Sequence, residues 1–374
     1  MNFSKASAST GRLRPPPLIS GRAFSLEESY KAKKANGLLS LKIELGKKCN
    51  LRCPYCFSES GKPAEGELST AEILRVVDEG VALGAKTVTL MGGEPTLHKD
   101  FFRIVEHVRG AGVKPVVFTN GTRINKEFAR NLFELDATVI TKLNSFDAEL
   151  QRQLAGRSAL SEMLSGINCL IETGFSENSR LSIESVVAKQ NINDIPGIWR
   201  WARQRNIVPF IELLKPHGRG NSFEGIVSRE EARDLFNLLL RIDETEYGFT
   251  WIPTPPIAGW QCQEHKYSCY VTANGEVQPC SSVAVSAGNV LEKSLTEILK
   301  TELFKVVREV KKHLKGACGD CGVCIRCRFK ACAHAMEKII SKPGCDNCYG
   351  CRGWAYSAKG DFLAADEMCW REVR

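Results

Sequence analysis

The sequence has no apolar run long enough to span a bilayer and no repeat at the period of solenoid proteins. These two absences argue against an integral membrane protein and against a repeat architecture. Over 374 residues the chain is 43% hydrophobic and 25% charged. Such a composition is typical of a globular protein with about two domains and a sizeable core.

Acidic residues are missing from the first 26 positions, which contain several Ser, Arg and Lys. This bias faintly suggests an organellar transit peptide. Pro15-Pro16-Pro17 would interrupt an amphipathic helix there, so we expect a disordered basic tail over residues 1–36. The formal charge of the whole chain is +8, and metal-bound thiolates would lower it. The charge therefore gives poor support for a nucleic acid partner.

The sixteen cysteines are unevenly distributed. Three lie between positions 49 and 56, Cys169 stands alone, and twelve lie between Cys262 and Cys369. A disulfide-bonded secreted protein would spread its cysteines differently, whereas repeated C-x2-C pairs in a long chain indicate metal ligation. We therefore expect a reducing, cytoplasmic environment.

The first cysteine group, Cys49, Cys53 and Cys56, has C-x3-C-x2-C spacing and follows the apolar run 39–45. Three thiols on such a strand-to-loop turn can bind one face of an iron–sulfur cube and leave the fourth iron without a protein ligand. A zinc knuckle would need a fourth Cys or His nearby, and the next thirty residues contain none.

Tyr55 precedes the last cysteine of this group, and Met91-Gly92-Gly93-Glu94-Pro95 follows about one βα unit later. The combination resembles the radical S-adenosylmethionine (SAM) superfamily. The resemblance implies that the open iron of a 4Fe-4S cluster holds the amino and carboxylate groups of SAM. It further implies that an electron from the cluster cleaves SAM to a 5′-deoxyadenosyl radical. By the same resemblance Gly92, Gly93 and Glu94 hold the amino group of SAM, and Tyr55 lies beside its adenine.

From position 39 to about 250 short apolar segments alternate with helical ones, which predicts parallel βαβ units. Capping boxes at Ser69-x-x-Glu72 and Ser228-x-x-Glu231 predict two helix starts. Six units fit the partial (β/α)6 barrel that the resemblance implies for residues 37–250, giving an α/β fold. Periodicity alone would also allow a doubly wound sheet.

Polar residues follow the predicted strands at the end where parallel barrels collect their chemistry. We expect several of them to reach the ribose or carboxylate of SAM: Thr119, Asn120, Asn144, Ser182 and Glu184. The fifth strand does not match the Gly-x-Ile-x-Gly-x-x-Glu pattern that some family members carry. Glu212 and Lys215, after the sixth strand, are candidates for contacts with substrate or SAM, or else form a surface ion pair.

Residues 251–374 begin at a proline-rich boundary and are dominated by cysteine spacing. Cys262, Gly275 and Cys280 fit the C-x(9–15)-G-x4-C spacing of the SPASM domain, an auxiliary-cluster module of many radical SAM enzymes, and Cys351-Arg352-Gly353-Trp354 resembles its close. The resemblance implies auxiliary 4Fe-4S clusters in a small SPASM-like domain. The candidate ligands are Cys262, Cys269, Cys280, Cys318, Cys321, Cys324, Cys327, Cys332, Cys345, Cys348, Cys351 and Cys369.

Twelve thiols would satisfy three four-iron clusters, and two clusters with spare thiols is the rival count. We favour Cys262, Cys269, Cys280 and Cys369 as one site and leave the other eight unpartitioned. Zinc ribbons remain an alternative, because C-x2-C spacing does not distinguish zinc from iron.

The function predicted from sequence is a radical SAM enzyme that abstracts hydrogen from an unactivated carbon. The substrate is a peptide or protein side chain, or a sugar or aminocyclitol. Only some forty residues precede Cys49, which favours substrates other than leader-dependent peptides. The expected reaction is an oxidation, a cross-linking or an epimerisation, with auxiliary clusters that accept an electron or bind substrate. In an epimerisation, Cys169 or a spare tail thiol could return the hydrogen atom.

Ferredoxin or flavodoxin would donate electrons, and the basic residues of the tail could receive that donor: Lys311, Lys312, Lys315, Arg326, Arg328 and Lys330. A multi-cluster electron carrier or a zinc- or RNA-binding protein without catalytic activity is the competing class.

Overall fold

The computed structural model describes residues 13–260, 262–319 and 352–369. Seven of the predicted tail ligands lie outside these ranges: Cys321, Cys324, Cys327, Cys332, Cys345, Cys348 and Cys351. Within the described ranges, no helix is both long enough and apolar enough to cross a bilayer.

One eight-stranded sheet organises the chain. Its strands are β1 (Ser40–Glu44), β2 (Thr87–Met91), β3 (Lys114–Thr119), β4 (Thr138–Lys142), β5 (Leu181–Val187), β6 (Val208–Leu213), β7 (Ser268–Val271) and β8 (Val277–Gln278). The first six are parallel and stand in sequence order, β7 pairs in parallel with the free edge of β1, and β8 is antiparallel to β7.

The strict sequence order of β1 to β6 decides between the two predicted architectures. In a doubly wound sheet the strand order reverses at a switch point, whereas here every crossover advances in the same direction. The partial barrel is therefore confirmed, and the doubly wound alternative is wrong.

Helices cover the outside of the sheet. In chain order they are α1 (Leu26–Lys34), α2 (Thr70–Ala82), α3 (Phe101–Gly110), α4 (Lys126–Glu134), α5 (Ala148–Ala155), α6 (Leu160–Thr173), α7 (Ile195–Arg203), α8 (Arg229–Ile242), α9 (Leu295–Ile298), α10 (Glu302–Arg308), α11 (Gly316–Gly319) and α12 (Arg352–Lys359). Both predicted capping boxes form, because Ser69 and Ser228 each accept the backbone N–H of the glutamate three residues later.

Two apolar clusters hold this architecture together. The larger one fills the layer between strands and helices, and the inward-facing strand positions contribute to a second one inside the barrel. Val116, Ile140 and Phe210 of that inner cluster pack against Ile19 from the N-terminal segment and Ile257 from the segment after α8. The barrel interior is thus closed partly by chain outside the six βα units.

The N-terminal residues that the structure describes are ordered into the fold, in contrast to the expected disordered tail. Helix α1 begins after Ser25, and the side chains of Ser25 and Glu28 form a capping box. The backbone N–H of Glu28 donates to Ser25 Oγ at 3.1 Å. The Ser25-x-x-Glu28 signal was present in the sequence. Burial of Ile19 in the barrel then anchors the segment that precedes the helix.

The chain crosses from one edge of the barrel to the other after Pro256. Leu213 N donates to the Pro256 carbonyl at 2.9 Å, and Ala258 N donates to the Ile211 carbonyl at 2.9 Å, so this segment lies along β6. A few residues later β7 adds to the opposite edge, next to β1. The start of the predicted auxiliary domain is therefore part of the barrel sheet, and the predicted domain boundaries stay a prediction.

Candidate active site

The loop after β1 carries the first three cysteines and is fixed from several sides. Cys49 N donates to the Gly61 carbonyl at 2.9 Å, and Arg52 N donates to the Ala155 carbonyl at 3.0 Å. The Arg219 guanidinium donates to the carbonyls of Cys53 and Ser60, each at 2.9 Å. The contacts with Ala155 and Arg219 thus fix the cysteine loop to segments that are distant in sequence.

Cys49, Cys53 and Cys56 all line one cavity of about 200 Å³ that is continuous with solvent. Burial raises the pKa of Cys53 to about 12 and also raises the pKa of Cys49, and repulsion from neighbouring thiolates of the group adds to both shifts. The three thiols therefore interact electrostatically with one another. A positively charged metal centre would remove this penalty and stabilise the thiolates.

Gly92 and Gly93, after β2, also line the cavity. Gly92 has a φ of 132°, and a Cβ at Gly93 would lie only 2.2 Å from the Lys48 carbonyl oxygen. Glycine is therefore required where this turn meets the cysteine loop. Gly93 N and Glu94 N then donate to the carbonyls of Gly46 and Lys48 at 2.8 and 2.9 Å.

The Glu94 side chain is buried, and it is not among the described residues that line the cavity. Its carboxylate accepts hydrogen bonds from Thr96 Oγ1 at 2.6 Å, Thr119 Oγ1 at 2.7 Å and Asn120 N at 2.7 Å. Burial raises the pKa of Glu94, and these hydrogen bonds oppose the shift. The geometry makes Glu94 a brace that fixes the end of β3, and so places Thr119 and Asn120, both of which line the cavity.

The other predicted SAM-contacting residues divide into two groups. Tyr55 and Glu184 line the cavity. Asn144 is not among the described residues that line the cavity, but it contacts one of them. Its Nδ2 donates to Tyr55 Oη at 2.5 Å, and its Oδ1 accepts a hydrogen bond from Val186 N at 2.9 Å. Ser182 is fully buried, and its hydroxyl donates to the Val208 carbonyl at 2.7 Å. The structure therefore does not bring the Ser182 hydroxyl to the cavity.

Sequence reasoning missed a charged cluster at the inner side of the cavity. Glu264 pairs with Arg22 at 2.5 Å and with Lys42, and all three line the cavity. Burial alone would raise the pKa of Glu264, but Arg22 and Lys42 outweigh it and hold the pKa at about 2. In β1 the polar Ser40, Lys42 and Glu44 alternate with Leu41 and Ile43, and this alternation was the available signal.

A second missed residue is Lys142, at the end of β4. Its Nζ lies 2.8 Å from Glu184 Oε2. Burial lowers the pKa of Lys142, but the Glu184 carboxylate outweighs it, so the net shift is upward and the ammonium stays charged. Glu212 and Lys215, which were candidates from sequence, also line the cavity and contact each other.

The predicted auxiliary ligands are not all on the same side of the sheet. Cys262 and Cys280 line the same cavity as the first three cysteines. Cys269 is fully buried on the opposite face of β7, within the apolar layer under the helices, and burial raises its pKa to about 12. Its neighbour Tyr270 points inward instead, with its ring 6.5 Å from that of Phe57. Cys269 therefore stands apart from the site that sequence spacing suggested for it.

Cys318 and Cys369 are the remaining described tail cysteines, and the backbone of Asp366 contacts both of them. Asp366 N approaches Cys318 Sγ at 3.4 Å, and Cys369 N donates to the Asp366 carbonyl at 3.2 Å. The loop that carries Cys369 thus contacts the thiol of Cys318 on α11. Their grouping with Cys262 and Cys280 stays a prediction.

Glu44 joins the cysteine loop to the hairpin of β7 and β8. It is fully buried, and its carboxylate accepts hydrogen bonds from Ser58 Oγ at 2.6 Å and Ala273 N at 2.9 Å. Lys47 Nζ lies 2.8 Å from the same carboxylate. The Glu44 side chain therefore fixes the position of the cysteine loop relative to the segment that carries Cys280.

Comparison with known families agrees with this arrangement. Residues 43–202 match the radical SAM superfamily, and residues 262–322 match SPASM, an iron–sulfur cluster-binding domain. The chain belongs to the radical SAM superfamily. It is an enzyme of that superfamily with an auxiliary iron–sulfur domain, as the sequence predicted.

Two kinds of curated relative cover most of this radical SAM chain. It is 28% identical over 356 residues to the AdoMet-dependent heme synthase of Methanosarcina barkeri, covering 87% of this chain and 94% of that protein. It is also 28% identical over 306 residues to the mycofactocin maturase MftC of Mycolicibacterium smegmatis, covering 78% and 77%.

Solved structures share the fold. SuiB from Streptococcus suis bound to S-adenosylmethionine superposes with a TM-score of 0.67 at 17% identity, over 91% of this chain and 80% of that one. Native anSMEcpe with bound AdoMet and Cp18Cys peptide gives a TM-score of 0.63 at 16% identity, over 88% and 93%.

The cofactors of this radical SAM enzyme are a SAM-binding 4Fe-4S cluster and auxiliary iron–sulfur clusters. The donor chemistry in the cavity fits them. Each thiolate of a four-iron cluster binds a different iron, so the three sulfurs need not meet at one point. Accordingly, no three His, Cys, Asp or Glu side chains among the described residues are grouped for a single metal ion.

Proposed function

We propose that this enzyme performs a net oxidation at a carbon of its substrate, in the cavity that Cys49, Cys53 and Cys56 share with Cys262 and Cys280. When bound, a reduced four-iron cluster and SAM supply a 5′-deoxyadenosyl radical, which abstracts a hydrogen atom from the substrate. The observation that carries the proposal is that both cysteine groups line one cavity. A substrate between them would lose a hydrogen atom on one side and could pass an electron to the other.

The proposed roles of the chain's own residues follow from their positions. Cys49, Cys53 and Cys56 ligate the SAM-binding cluster. Gly92 and Gly93 let the backbone approach the amino group of SAM, while Glu94 acts through the β3 end that it braces.

Tyr55, Thr119, Asn120 and Glu184 are the remaining SAM contacts in this proposal, since all four line the cavity. Asn144 is a positioning residue for Tyr55. Apolar walls from Phe118, Val186, Phe210 and Leu214 limit the access of water to a radical.

The position of Cys169 argues against an epimerisation that uses its thiol. An epimerase must return a hydrogen atom to the face opposite the one attacked. Cys169 lies on α6 and packs against the apolar layer outside the sheet, and it is not among the described residues that line the cavity. Oxidation, which needs no hydrogen donor, fits the cavity better.

We propose a peptide or protein side chain as the substrate. The cavity opens to solvent, which gives a peptide segment access to the SAM site. The relatives named mycofactocin maturase and the peptide-bound SuiB and anSMEcpe structures support this class. We also infer a reducing, cytoplasmic location and a small electron-carrier protein, such as ferredoxin or flavodoxin, as the electron source.

A carboxylate-bearing small molecule is the second candidate, because positive side chains outnumber negative ones in the cavity. Arg22, Lys42, Lys142, Lys215 and Arg219 face Glu184, Glu212 and Glu264. A surplus of cations attracts an anionic substrate. The likeness to the AdoMet-dependent heme synthase supports this candidate.

Anaerobic reconstitution with iron and sulfide tests the proposed function. We expect about eight to sixteen iron atoms per chain and release of 5′-deoxyadenosine from SAM once dithionite is added. Cys53→Ala should abolish the release, and Cys169→Ala should leave it unchanged. Iron without SAM cleavage would indicate an electron carrier, and neither iron nor cleavage would indicate a zinc protein. Stimulation of the release by peptides or by polycarboxylates would then separate the two substrate classes.

A further inference from the structure

A groove on the outer surface lies beside the cysteine loop and is separate from the reaction cavity. It is lined by Lys48, residues 96–103, Arg123 and Phe128, and contains about 930 Å³ of space open to solvent. We call this surface the basic groove. None of these residues was singled out in the sequence.

The basic groove carries four positive side chains, Lys48, Lys99, Arg103 and Arg123, and all four are exposed. In the described part of the chain, none of them has a carboxylate within ion-pairing distance. Asp100, the one acid of the lining, accepts a hydrogen bond from Thr70 Oγ1 at 2.6 Å, and this bond lowers the pKa of Asp100. The groove therefore keeps a net positive charge, because the single carboxylate of the lining is outnumbered by four cations.

The tail residues that sequence analysis considered for the electron donor differ in this respect. Lys312 pairs with Glu309 at 2.8 Å and Lys315 pairs with Asp361 at 2.7 Å, while Arg326, Arg328 and Lys330 lie outside the described residues. Lys312 and Lys315 thus each have a carboxylate partner among the described residues, unlike the four cations of the basic groove.

Aromatic side chains form the floor of the basic groove. Phe102 and Phe128 are half-buried with ring centroids 4.6 Å apart, and Phe101 lies below them, 5.6 Å from Phe128. An apolar centre surrounded by charged side chains is the usual composition of a transient protein–protein interface.

The basic groove is connected to the cysteine loop by a short route. Lys48 precedes Cys49 directly, and the Lys48 carbonyl accepts Glu94 N at 2.9 Å. From the other wall, Thr122, which precedes Arg123, accepts a hydrogen bond from Asn50 Nδ2 at 2.8 Å. The Lys48 wall of the groove is therefore directly adjacent to Cys49 along the chain.

We infer that the basic groove is the docking surface for an acidic one-electron carrier protein. This inference rests on the proposed function, because it assumes that Cys49 ligates the SAM-binding cluster. The carrier is oxidised by one electron in each turnover. That electron is consumed when the S–C5′ bond of SAM breaks to give methionine and the 5′-deoxyadenosyl radical. Docking here leaves the cavity free for substrate.

Charge reversal in the basic groove tests the inference. The variant Lys99→Glu/Arg103→Glu/Arg123→Glu changes three exposed residues and leaves out Lys48, whose backbone abuts Gly93. The matched control reverses Arg229, Arg233 and Arg241, three exposed arginines on α8, which packs on α7 near β6. Each reconstituted protein is assayed for 5′-deoxyadenosine with reduced flavodoxin, with reduced ferredoxin and with dithionite.

We expect the groove variant to lose about tenfold or more of the carrier-driven rate, since electrostatic steering contributes on this scale. Its dithionite-driven rate and the carrier-driven rate of the control should stay at the wild-type level. A titration with oxidised flavodoxin should show a dissociation constant raised about tenfold by the groove variant. Raising the ionic strength from about 0.05 to about 0.5 M should erase the difference between groove variant and wild type.

Several results would overturn the inference. One is an equal carrier-driven rate for groove variant and wild type, and another is an equal loss in the control. Wild-type protein that neither carrier binds or reduces also refutes it, as does preferential binding of the groove to a nucleic acid. Failure of the dithionite reaction would instead refute the proposed function, and the flavodoxin titration would still report on docking.

Discussion

Replacing Glu44 with alanine should loosen the connection between the cysteine loop and the β7–β8 hairpin. The buried carboxylate accepts Ser58 Oγ at 2.6 Å and Ala273 N at 2.9 Å and pairs with Lys47. Alanine leaves the Ala273 N–H without an acceptor, which costs about 2 kcal/mol. It also removes one hydrogen bond of Ser58 Oγ, worth about 1 kcal/mol, although this hydroxyl keeps its contact with Ser60 Oγ at 2.8 Å. Lys47 is partly exposed, so its ion pair adds only about 1 kcal/mol. The expected loss is about 4 kcal/mol of unfolding free energy for Glu44→Ala.

Urea unfolding of the cluster-free protein, followed by circular dichroism, measures this loss. With a slope of about 3 kcal/mol per molar urea, the midpoint should fall by about 1 M. Glu44→Gln keeps one acceptor oxygen and should lose about half as much. Glu72→Ala, which removes an exposed carboxylate from a helix cap, serves as the control and should cost about 1 kcal/mol.

The reconstituted Glu44→Ala protein should also retain less iron than wild type, because the loop that carries the first cysteines loses its support. A midpoint within about 0.3 M of wild type, with an unchanged slope, would show that this carboxylate does not connect the two segments.

Three further predictions concern other parts of the molecule. Gly156→Ala should lower iron retention and stability, because Gly156 has a φ of 77° and a Cβ there would lie 2.3 Å from the Arg52 carbonyl; normal iron content in this variant would contradict the geometry. Cys280→Ser should lower the iron count after reconstitution while Cys269→Ser should not, and the reverse result would show that Cys269 is a ligand. Burial lowers the pKa of His265 to about 3, so the unfolded chain takes up a proton that the folded chain excludes. The cluster-free protein should therefore lose about 3 kcal/mol of stability between pH 6.5 and 4 through this residue, and His265→Gln should unfold with a flatter pH dependence over that range.

The barrel could be predicted from sequence because its signals are local. Strand periodicity and the boxes at Ser69 and Ser228 depend on residues a few positions apart, and the structure reproduces both. Gly92 and Gly93 were recognised through a family motif, which is also local. Their packing against the Lys48 carbonyl is visible only in the structure.

The missed features all depend on contacts between distant segments. Arg22 and Glu264 are 242 positions apart, and their pairing beside Lys42 cannot be read from spacing. Cys269 has the expected ligand chemistry, but the alternation of β7 turns it away from the cavity. Ser182 has the expected polarity, but its hydroxyl is used by the neighbouring strand.

The place of β7 beside β1 has a consequence for anyone who tries to divide this protein. A fragment that stops near position 250 would end before β7 and the segment along β6. It would expose unpaired N–H and C=O groups at both margins of its sheet, which favours aggregation. The segment after position 250 thus completes the hydrogen-bonded sheet of the barrel, and a truncated or exchanged half would need its exposed strand edges covered.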